Sequence, residues 1–298
     1  YFRSDSCDAD LCYIFRTQII MINKIRFTRL KFRNPSTMKL VGIILMLFVL
    51  SAKAQMHTGA RFSSMAYAAV ALQDVWSLQQ NQAGLCDLKK PVFSLGSTPS
   101  FGDNELKIQS AIVALPYRSH VFGLGFQRYG IVEYNEQKMG VAYARRFNTL
   151  FVAINGNYHQ LYIQNYGSAR SFSIEAGLQY WASQNLCLGV HLANPNQSTY
   201  NSSVAYIPRR VQIGASYRFS DQLMLAASIN KISNNPADVG AGLEYGLIEW
   251  FFLRGGVSVN PLKQYVGFGI HYSQFRFDVA TVSHATLGYL PQLAFSYE

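Results

Sequence analysis

The sequence is poor in charge for its length. Asp, Glu, Lys and Arg make up 14% of its 298 residues, against about a quarter in a typical soluble domain. Hydrophobic residues, at 49%, are no more abundant than usual, so a bundle of membrane-spanning helices is not implied. Aromatic residues reach 14%, with 19 Tyr and 20 Phe. This combination is typical of a sheet with one face in lipid and the other toward a polar lumen.

A clustered basic face is also missing, although the formal net charge is +10. Residues 1–37 hold seven basic and three acidic residues, and Lys39 and Lys53 add two more positive charges. The remaining +4, from Gln55 onward, is scattered in runs no longer than a pair. Nucleic-acid-binding proteins concentrate their basic residues on one face, so the sequence excludes nucleic acid as a partner.

Metal-binding and cofactor-binding patterns are absent too. The six histidines are dispersed without an i, i+2 or i, i+4 pair, and no phosphate-binding loop occurs. The four cysteines lack the paired C-x₂-C arrangement of zinc sites. We therefore expect no metal and no cofactor. For Cys86 and Cys187 we favour two unpaired thiols, with a disulfide between them as the alternative.

No apolar run reaches the roughly 20 residues that a membrane-spanning helix takes. A shorter run of eleven residues, from Leu40 to Leu50, follows Met38-Lys39 and precedes an A-x-A site at Ala52–Ala54. This order of charge, apolar run and small residues is typical of a secretory signal peptide, which we place at residues 38–54. The alternative is a buried core helix.

Residues 1–37 lie ahead of this complete export signal. We expect them to be a disordered extension translated from upstream of the true start. The rival interpretation is an unusually long charged region before the apolar run, with Met21 as another start. In either case these residues take no part in the fold, and the mature protein begins at or near Gln55.

Residues 55–90 favour a small helical hatch over a strand. Apolar residues recur there at helical spacing, namely Phe62, Met65, Ala69 and Leu72. Asp74 can cap a second short helical turn that contains Trp76 and Leu78, and Gly84 can end a helix.

From about Pro91 onward the apolar residues recur with a period of two. In one run Phe172, Ile174, Ala176, Leu178 and Tyr180 alternate with Ser173, Glu175, Gly177 and Gln179. Such runs are about ten residues long, the length of a tilted strand that crosses a bilayer. We count about fourteen of them. The sequence therefore predicts an all-β fold over residues 91–298: a transmembrane antiparallel β-barrel of about 14 strands, with the hatch at its N-terminus.

A soluble β-sandwich or solenoid also alternates and is the competing fold. Here, however, the polar face consists mostly of Gly, Ser, Asn and Gln. A water-exposed face normally carries more Lys and Glu, whereas a narrow lumen favours small uncharged residues. Only a closed barrel leaves no unpaired strand edge in lipid, and we favour it.

Short motifs near the N-terminus resemble the PorV/PorQ family. They are Gly59-Ala60-Arg61, Met65-Ala66 and Asn81-Gln82-Ala83-Gly84-Leu85. These outer-membrane barrels are associated with type IX secretion and resemble FadL-type long-chain fatty-acid transporters. The family typically opens with G-A-R, M-G-G and N-P-A-G-L. Met65-Ala66-Tyr67 here replaces the double glycine, and Gln82 replaces the proline. The resemblance implies a hatch and about fourteen strands, but no particular ligand.

Five charged residues are predicted to face the lumen: Glu175, Arg218, Glu244, Arg254 and Asp278. Unpaired, each would cost several kcal/mol in a low-dielectric wall. We favour ion pairs that tie the wall to the hatch, with a polar constriction on a transport path as the alternative. The apolar hatch residues likewise allow two interpretations, packing that fills the barrel mouth or the lining of a path for an apolar ligand. They are Phe62, Met65, Tyr67, Leu72, Trp76 and Leu78.

Candidate catalytic groups are sparse. Ser283-His284 with Asp278 is the nearest cluster, followed by His271 and Ser273. None is framed by a nucleophile elbow, and we expect Asp278 in the lumen but Ser283-His284 in a loop. We therefore expect no catalytic residue, and an outer-membrane hydrolase is a remote alternative.

Together these patterns predict a non-enzymatic barrel in the outer membrane of a Gram-negative cell, surrounded by outer-membrane lipid. It would pass small hydrophobic molecules or serve type IX secretion by contacting secretion-apparatus proteins. The alternative is a scaffold that binds other envelope proteins. A tunnel past Trp76 would favour transport, and a filled lumen with every charge paired would favour the scaffold.

Overall fold

The computed structural model describes residues 59–100, 103–201, 205–233, 235–284 and 288–298. The predicted upstream extension (1–37) and signal peptide (38–54) lie outside the described residues.

The described residues contain sixteen strands, and fourteen of them form one closed antiparallel barrel, which confirms the predicted fold. In chain order the strands are β1 (Val92–Ser100), β2 (Asp103–Tyr117), β3 (His120–Gly130), β4 (Tyr134–Phe147), β5 (Leu150–Ile163), β6 (Gly167–Trp181), β7 (Leu186–Ala193), β8 (Thr199–Asn201), β9 (Ala205–Tyr206), β10 (Arg210–Arg218), β11 (Leu223–Ile232), β12 (Asp238–Ile248), β13 (Phe251–Val259), β14 (Leu262–Tyr272), β15 (Phe275–His284) and β16 (Gly288–Tyr297). The short strands β8 and β9 pair only with each other, and β7 pairs with β10.

The barrel closes where β1 pairs with β16, with Leu95 opposite Phe295. Its two ends differ. At one end, which we call the turn end, the connections hold two to four residues, and the C-terminus lies there. At the other, the loop end, the connections β3–β4 and β5–β6 are equally short, with three residues each, but the connection between β7 and β10 runs over residues 194–209 and includes the β8–β9 hairpin. Transmembrane barrels of bacteria place their short turns in the periplasm and their longer loops outside the cell.

The alternation of the sequence separates two surfaces. On β6, Ile174 and Leu178 are exposed on the outside, whereas Glu175 and Gln179 are buried in the lumen. The other barrel strands show the same alternation, so Val, Leu, Ile, Phe and Tyr cover the outer surface. A continuous apolar outer surface is what contact with lipid hydrocarbon requires.

The segment that precedes β1 lies inside the barrel and is less helical than expected. It contains one short α-helix, α1 (Ala60–Ser64), and two 3-10 helices, Val75–Gln79 and Gln82–Asp87. Asp74 caps the first 3-10 helix by accepting a hydrogen bond from the Trp76 backbone, as predicted. The prediction that Gly84 ends a helix is wrong, because Gly84 lies within the second 3-10 helix.

Within the described residues, no helix combines the length and the apolar character needed to cross a membrane.

The two barrel surfaces can be distinguished by charge insertion. Ile154 is exposed on the outer surface of β5, so Ile154→Arg should lower the free energy of unfolding by about 2–4 kcal/mol in a lipid bilayer. Gln109→Arg, on the outer surface of β2 toward the loop end, should change it by about 0–1 kcal/mol. Urea unfolding in lipid vesicles measures both. Equal effects would contradict the assignment of Ile154 to a lipid-facing surface.

Candidate functional site

The centre of the hatch is apolar and fills the lumen. Of the apolar hatch residues predicted from the sequence, only Tyr67 is half-buried. The others, together with Leu85, are buried, namely Phe62, Met65, Leu72, Trp76, Leu78 and Leu85. The Trp76 side chain is the largest and is 1% exposed. In this conformation the lumen is therefore closed around Trp76.

Glycines of the wall make room for these side chains. A Cβ atom built on Gly96 of β1 would lie 2.6 Å from the Trp76 ring. Atoms built on Gly123 and Gly125 of β3 would lie 2.7 and 2.8 Å from Leu78. Real Cβ contacts are not this short, so the small lumen-facing residues of β1 and β3 are a steric requirement of the hatch.

A ladder of alternating charges joins the hatch to three strands. Both ends of the Arg61 guanidinium are used: Nε and Nη2 donate to the two Glu244 oxygens at 2.8 Å, and Nη1 donates to Asp74 at 2.8 Å. Arg254 then donates to Glu244 through Nε and to Asp278 through Nη1, both at 2.6 Å. We call Asp74, Arg61, Glu244, Arg254 and Asp278 the charge ladder.

The strand register builds the wall side of the charge ladder. Glu244 of β12 lies directly opposite Arg254 of β13, and Asp278 of β15 lies opposite Gly269 of β14. A Cβ atom at Gly269 would lie 2.5 Å from the Asp278 carboxylate and 2.7 Å from the Arg254 guanidinium nitrogens. The glycine therefore lets Arg254 reach across β14 to Asp278.

Arg61 also sets the charge state of the hatch. Burial alone would raise the pKa of Asp74, but the Arg61 charge beside it, with a further contribution from Arg276, lowers the pKa below its usual value. Asp74 is therefore ionised at neutral pH and completes the alternation of the charge ladder.

A second polar cluster surrounds Glu175 of β6. Its carboxylate accepts hydrogen bonds from Gln82 of the hatch at 2.5 Å, Lys138 at 2.7 Å and Asn157 at 3.0 Å. His191 Nε2 lies 3.4 Å from the same carboxylate. Gln82, which replaces a proline in the family pattern, thus connects the hatch to the wall.

Asn81 holds the hatch to the backbone of the wall. Its amide nitrogen donates to the Val70 carbonyl oxygen at 2.6 Å and to the Leu178 carbonyl at 3.1 Å, and its Oδ1 accepts from the Ala83 backbone at 3.2 Å. A Cβ at Gly177 would lie 2.1 Å from Asn81 Oδ1. Asn81 therefore replaces the backbone partners that a helix or strand would otherwise provide.

Two consecutive non-glycine residues of the hatch have left-handed backbones. Ala66 has φ 55° and Tyr67 has φ 54°, and these are the positions at which the family pattern has its double glycine. This turn ends the helical path after α1, which explains why the helical spacing through Leu72 does not form one helix. The Tyr67 hydroxyl accepts a hydrogen bond from Gln292 of β16 at 3.0 Å.

The lumen contains a small void beside the hatch. A void of about 20 Å³ lies between Leu78 and the polar wall near Lys138 and Asn157, room for about one water molecule. A groove of about 460 Å³ is mainly an outer-surface feature around Ala215, Ala227 and Ala241.

Several predicted residues lie apart from this site. Arg218 is exposed at the end of β10, 5.9 Å from the Trp181 ring centre, and takes no part in the charge ladder. The prediction that Ser283-His284 forms a loop is wrong, since both belong to β15. Ser283 is an odd number of residues from Asp278 on this strand and faces the opposite side.

Cys86 and Cys187 are both free and buried. Burial raises the pKa of the Cys86 thiol to about 12, so this thiol is protonated at neutral pH and is a poor nucleophile.

A serine–histidine pair that the sequence did not indicate lies in the lumen. His159 Nε2 and the Ser173 hydroxyl are 2.8 Å apart across β5 and β6. The nearby Glu175 carboxylate is bound to Gln82, Lys138 and Asn157 and does not orient His159. Only the register of two strands brings the pair together, so no local motif could have revealed it.

Removing one charge from the charge ladder should destabilise the folded protein. Glu244→Gln leaves Arg61 and Arg254 without their shared carboxylate, and breaking a buried ion pair in this way typically costs about 3–5 kcal/mol. Urea unfolding in lipid vesicles measures the loss. Glu249→Gln, in an exposed turn next to β12, is the matched control and should change stability by less than about 0.5 kcal/mol. Similar values for both variants would show that the charge ladder does not hold the hatch.

Glycine in place of Ala66 should relieve the backbone strain of the left-handed turn. Because a left-handed backbone costs an L-residue roughly 1–2 kcal/mol, Ala66→Gly should raise the free energy of unfolding by about 1 kcal/mol. Ala68→Gly, two residues on and outside the left-handed region, should lower it by about 0.5–1 kcal/mol. The same unfolding experiment compares them, and a loss of stability in both would contradict strain at Ala66.

No protein-family model and no curated protein matches this chain. Solved structures resemble it in fold. The CymD monoaromatic hydrocarbon channel is 13% identical, with 83% of this chain and 99% of that chain covered and a TM-score of 0.62. The Ralstonia pickettii toluene transporter TbuX is 12% identical, with 82% and 98% covered and a TM-score of 0.60. A Pseudomonas aeruginosa FadL homologue is 10% identical, with 80% and 98% covered and a TM-score of 0.58. The chain therefore has a FadL-like barrel fold.

Proposed function

We propose that this chain is a non-enzymatic barrel of the Gram-negative outer membrane that passes small hydrophobic molecules, with the hatch as its gate. The observation that carries the proposal is the apolar centre of the hatch, which occupies the lumen of a barrel with an apolar outer surface. The fold shared with hydrocarbon channels supports it. The signal peptide predicted at residues 38–54 fits export to this membrane.

The apolar hatch residues define the path in this proposal. Phe62, Leu72, Trp76 and Leu78 belong to one buried apolar cluster, and Trp76 and Leu78 pack against wall glycines. An apolar molecule that replaces these contacts loses no hydrogen bond of the wall, because the polar anchors lie around the cluster. Since Trp76 closes the lumen, passage requires part of the hatch to move.

The contacts suggest which part moves. Arg61 is fixed by the charge ladder, and Asn81 is fixed to the backbone of β6 and β7. Between them, Met65 and Ala66 pack closely on Gly240, Gly242 and Gly256, and the next residue, Tyr67, accepts one hydrogen bond from Gln292. The strained turn at Ala66 lies in this segment, and a conformation without that strain lowers the cost of opening.

A scaffold barrel is the second candidate, and one observation favours it. The charge ladder is internally paired and the hatch fills the lumen, an arrangement that needs no passage. In this case the protein would bind other envelope proteins, including components of a type IX secretion apparatus, as the PorV/PorQ resemblance implies.

A reversible disulfide between hatch and wall separates the two candidates. A Cβ atom built on Gly240 lies 3.7 Å from the Ala66 Cβ, close to the mean of about 3.8 Å in disulfides, and 2.8 Å from the Ala66 carbonyl oxygen, so the backbone at Ala66 shifts slightly to admit the bond. In the Ala66→Cys/Gly240→Cys variant, oxidation should abolish uptake of a neutral aromatic hydrocarbon such as toluene into proteoliposomes. Reduction should restore it, because the segment can then leave the wall.

The single variants Ala66→Cys and Gly240→Cys are the controls and should show no redox dependence. Uptake by the oxidised double variant equal to that of the reduced form would contradict a gate at this segment. Uptake no greater than in empty vesicles, in the unmodified protein as well, would refute transport and leave the scaffold.

A further inference from the structure

One row of polar side chains crosses the outer surface of five strands toward the loop end. Successive cross-strand pairs join Gln109 of β2, Arg128 of β3, Gln137 of β4, Gln160 of β5 and Arg170 of β6. All five lie on the strand face opposite the lumen. We call them the arginine row. It borders the apolar part of the outer surface on these strands.

The two arginines of the row have no partner in the part of the chain that the structure describes. Neither forms an ion pair or a hydrogen bond there, and Arg128 Nε is buried without a hydrogen-bond partner. The guanidinium group of Arg218, by contrast, lies over an aromatic ring. A buried guanidinium nitrogen without an acceptor is costly, which indicates that a bound group supplies one.

The next row on the same face is apolar. It consists of Ala111, Phe126, Met139, Tyr158 and Phe172, which pair across the same five strands. The Tyr158 and Phe172 rings lie 5.2 Å apart. The arginine row and this apolar row therefore lie side by side over a distance of at least three inter-strand spacings.

An open notch lies beyond the apolar row at Gly156. Its cross-strand neighbours on the outer surface are Val141 and Ile174, and a Cβ built on Gly156 would have no atom within 4 Å. The notch is therefore lined by apolar side chains and leaves open space beside the Gly156 backbone.

We propose that the arginine row and the apolar surface below it bind an anionic lipid of the outer leaflet, with phosphate at the arginines and an acyl chain in the Gly156 notch. The proposal rests on the outer-membrane location given above, which turns the loop end toward the outer leaflet. Guanidinium groups bind phosphate through paired hydrogen bonds.

The spacing of the arginines selects a particular headgroup. Arg128 and Arg170 are three strands apart, about 14 Å at the usual inter-strand distance. Gln137 and Gln160 offer amide donors between them. This arrangement suits a saccharide headgroup with a phosphate at each end, rather than a headgroup with a single phosphate.

Lipid binding to the purified mature chain tests the site. A disaccharide lipid with two phosphates is titrated into the protein in an uncharged detergent, and native mass spectrometry measures the bound fraction. Arg128→Gln and Arg170→Gln should each weaken binding about tenfold, and the double variant about a hundredfold, since a charged hydrogen-bonded contact is lost each time. Arg145→Gln, on the outer surface of β4 near the turn end, should bind as the unmodified protein does.

A second variant tests the acyl chain. Gly156→Leu fills the notch without meeting a neighbouring atom at its Cβ, so it should fold normally and weaken lipid binding severalfold. Unchanged binding by the double arginine variant would overturn the proposal. So would equal binding of the dephosphorylated lipid, or displacement of the lipid by millimolar inorganic phosphate.

The outcome is independent of the proposed transport function. The arginine row lies outside the lumen, so the Arg128→Gln/Arg170→Gln variant should retain hydrocarbon uptake in vesicles that lack the anionic lipid. Failure of lipid binding with uptake intact refutes only the lipid site. Absence of uptake with lipid binding intact refutes only the transport function.

Discussion

The pairing of β1 with β16, nearly the whole length of the barrel apart in sequence, is the contact on which the rest of the structure depends. With it, every barrel strand has two neighbours and the barrel has no edge with unpaired backbone groups. In a lipid environment this is essential, because hydrocarbon offers no hydrogen bonds to an open edge. Closure also creates an inside and an outside, and these two environments account for the alternation of residue types along every strand.

A closed barrel of this size must then fill its lumen. The N-terminal segment does so with apolar side chains at its centre and polar anchors around them. Wall glycines admit Trp76 and Leu78, and in the charge ladder each arginine is paired with two carboxylates. Arg61 is central because it contacts carboxylates from both sides of the interface, Asp74 of the hatch and Glu244 of β12.

Stability and function make opposite demands on the hatch. The charge ladder and Asn81 hold its two ends, whereas the segment between them contains the left-handed turn at Ala66 and Tyr67. A strained backbone such as this turn persists only where the surrounding structure determines the conformation. The outer surface shows a parallel division, with most strands uniformly apolar and the arginine row crossing β2 to β6.

The sequence by itself determined the alternating pattern, the number of strands and the presence of a capped turn at Asp74, because each depends on residues close together in the chain. The period of two along each strand also predicts which charged residues face the lumen. Only the tertiary structure decided their partners: that Arg254 reaches Asp278 across Gly269, that His159 meets Ser173, and that Arg218 stays at the rim. These contacts depend on strand register and closure, which join residues far apart in sequence. The path of the hatch was decided in the same way, since the left-handed turn after α1 is set by packing on wall glycines and overrides the helical spacing of Phe62, Met65 and Leu72.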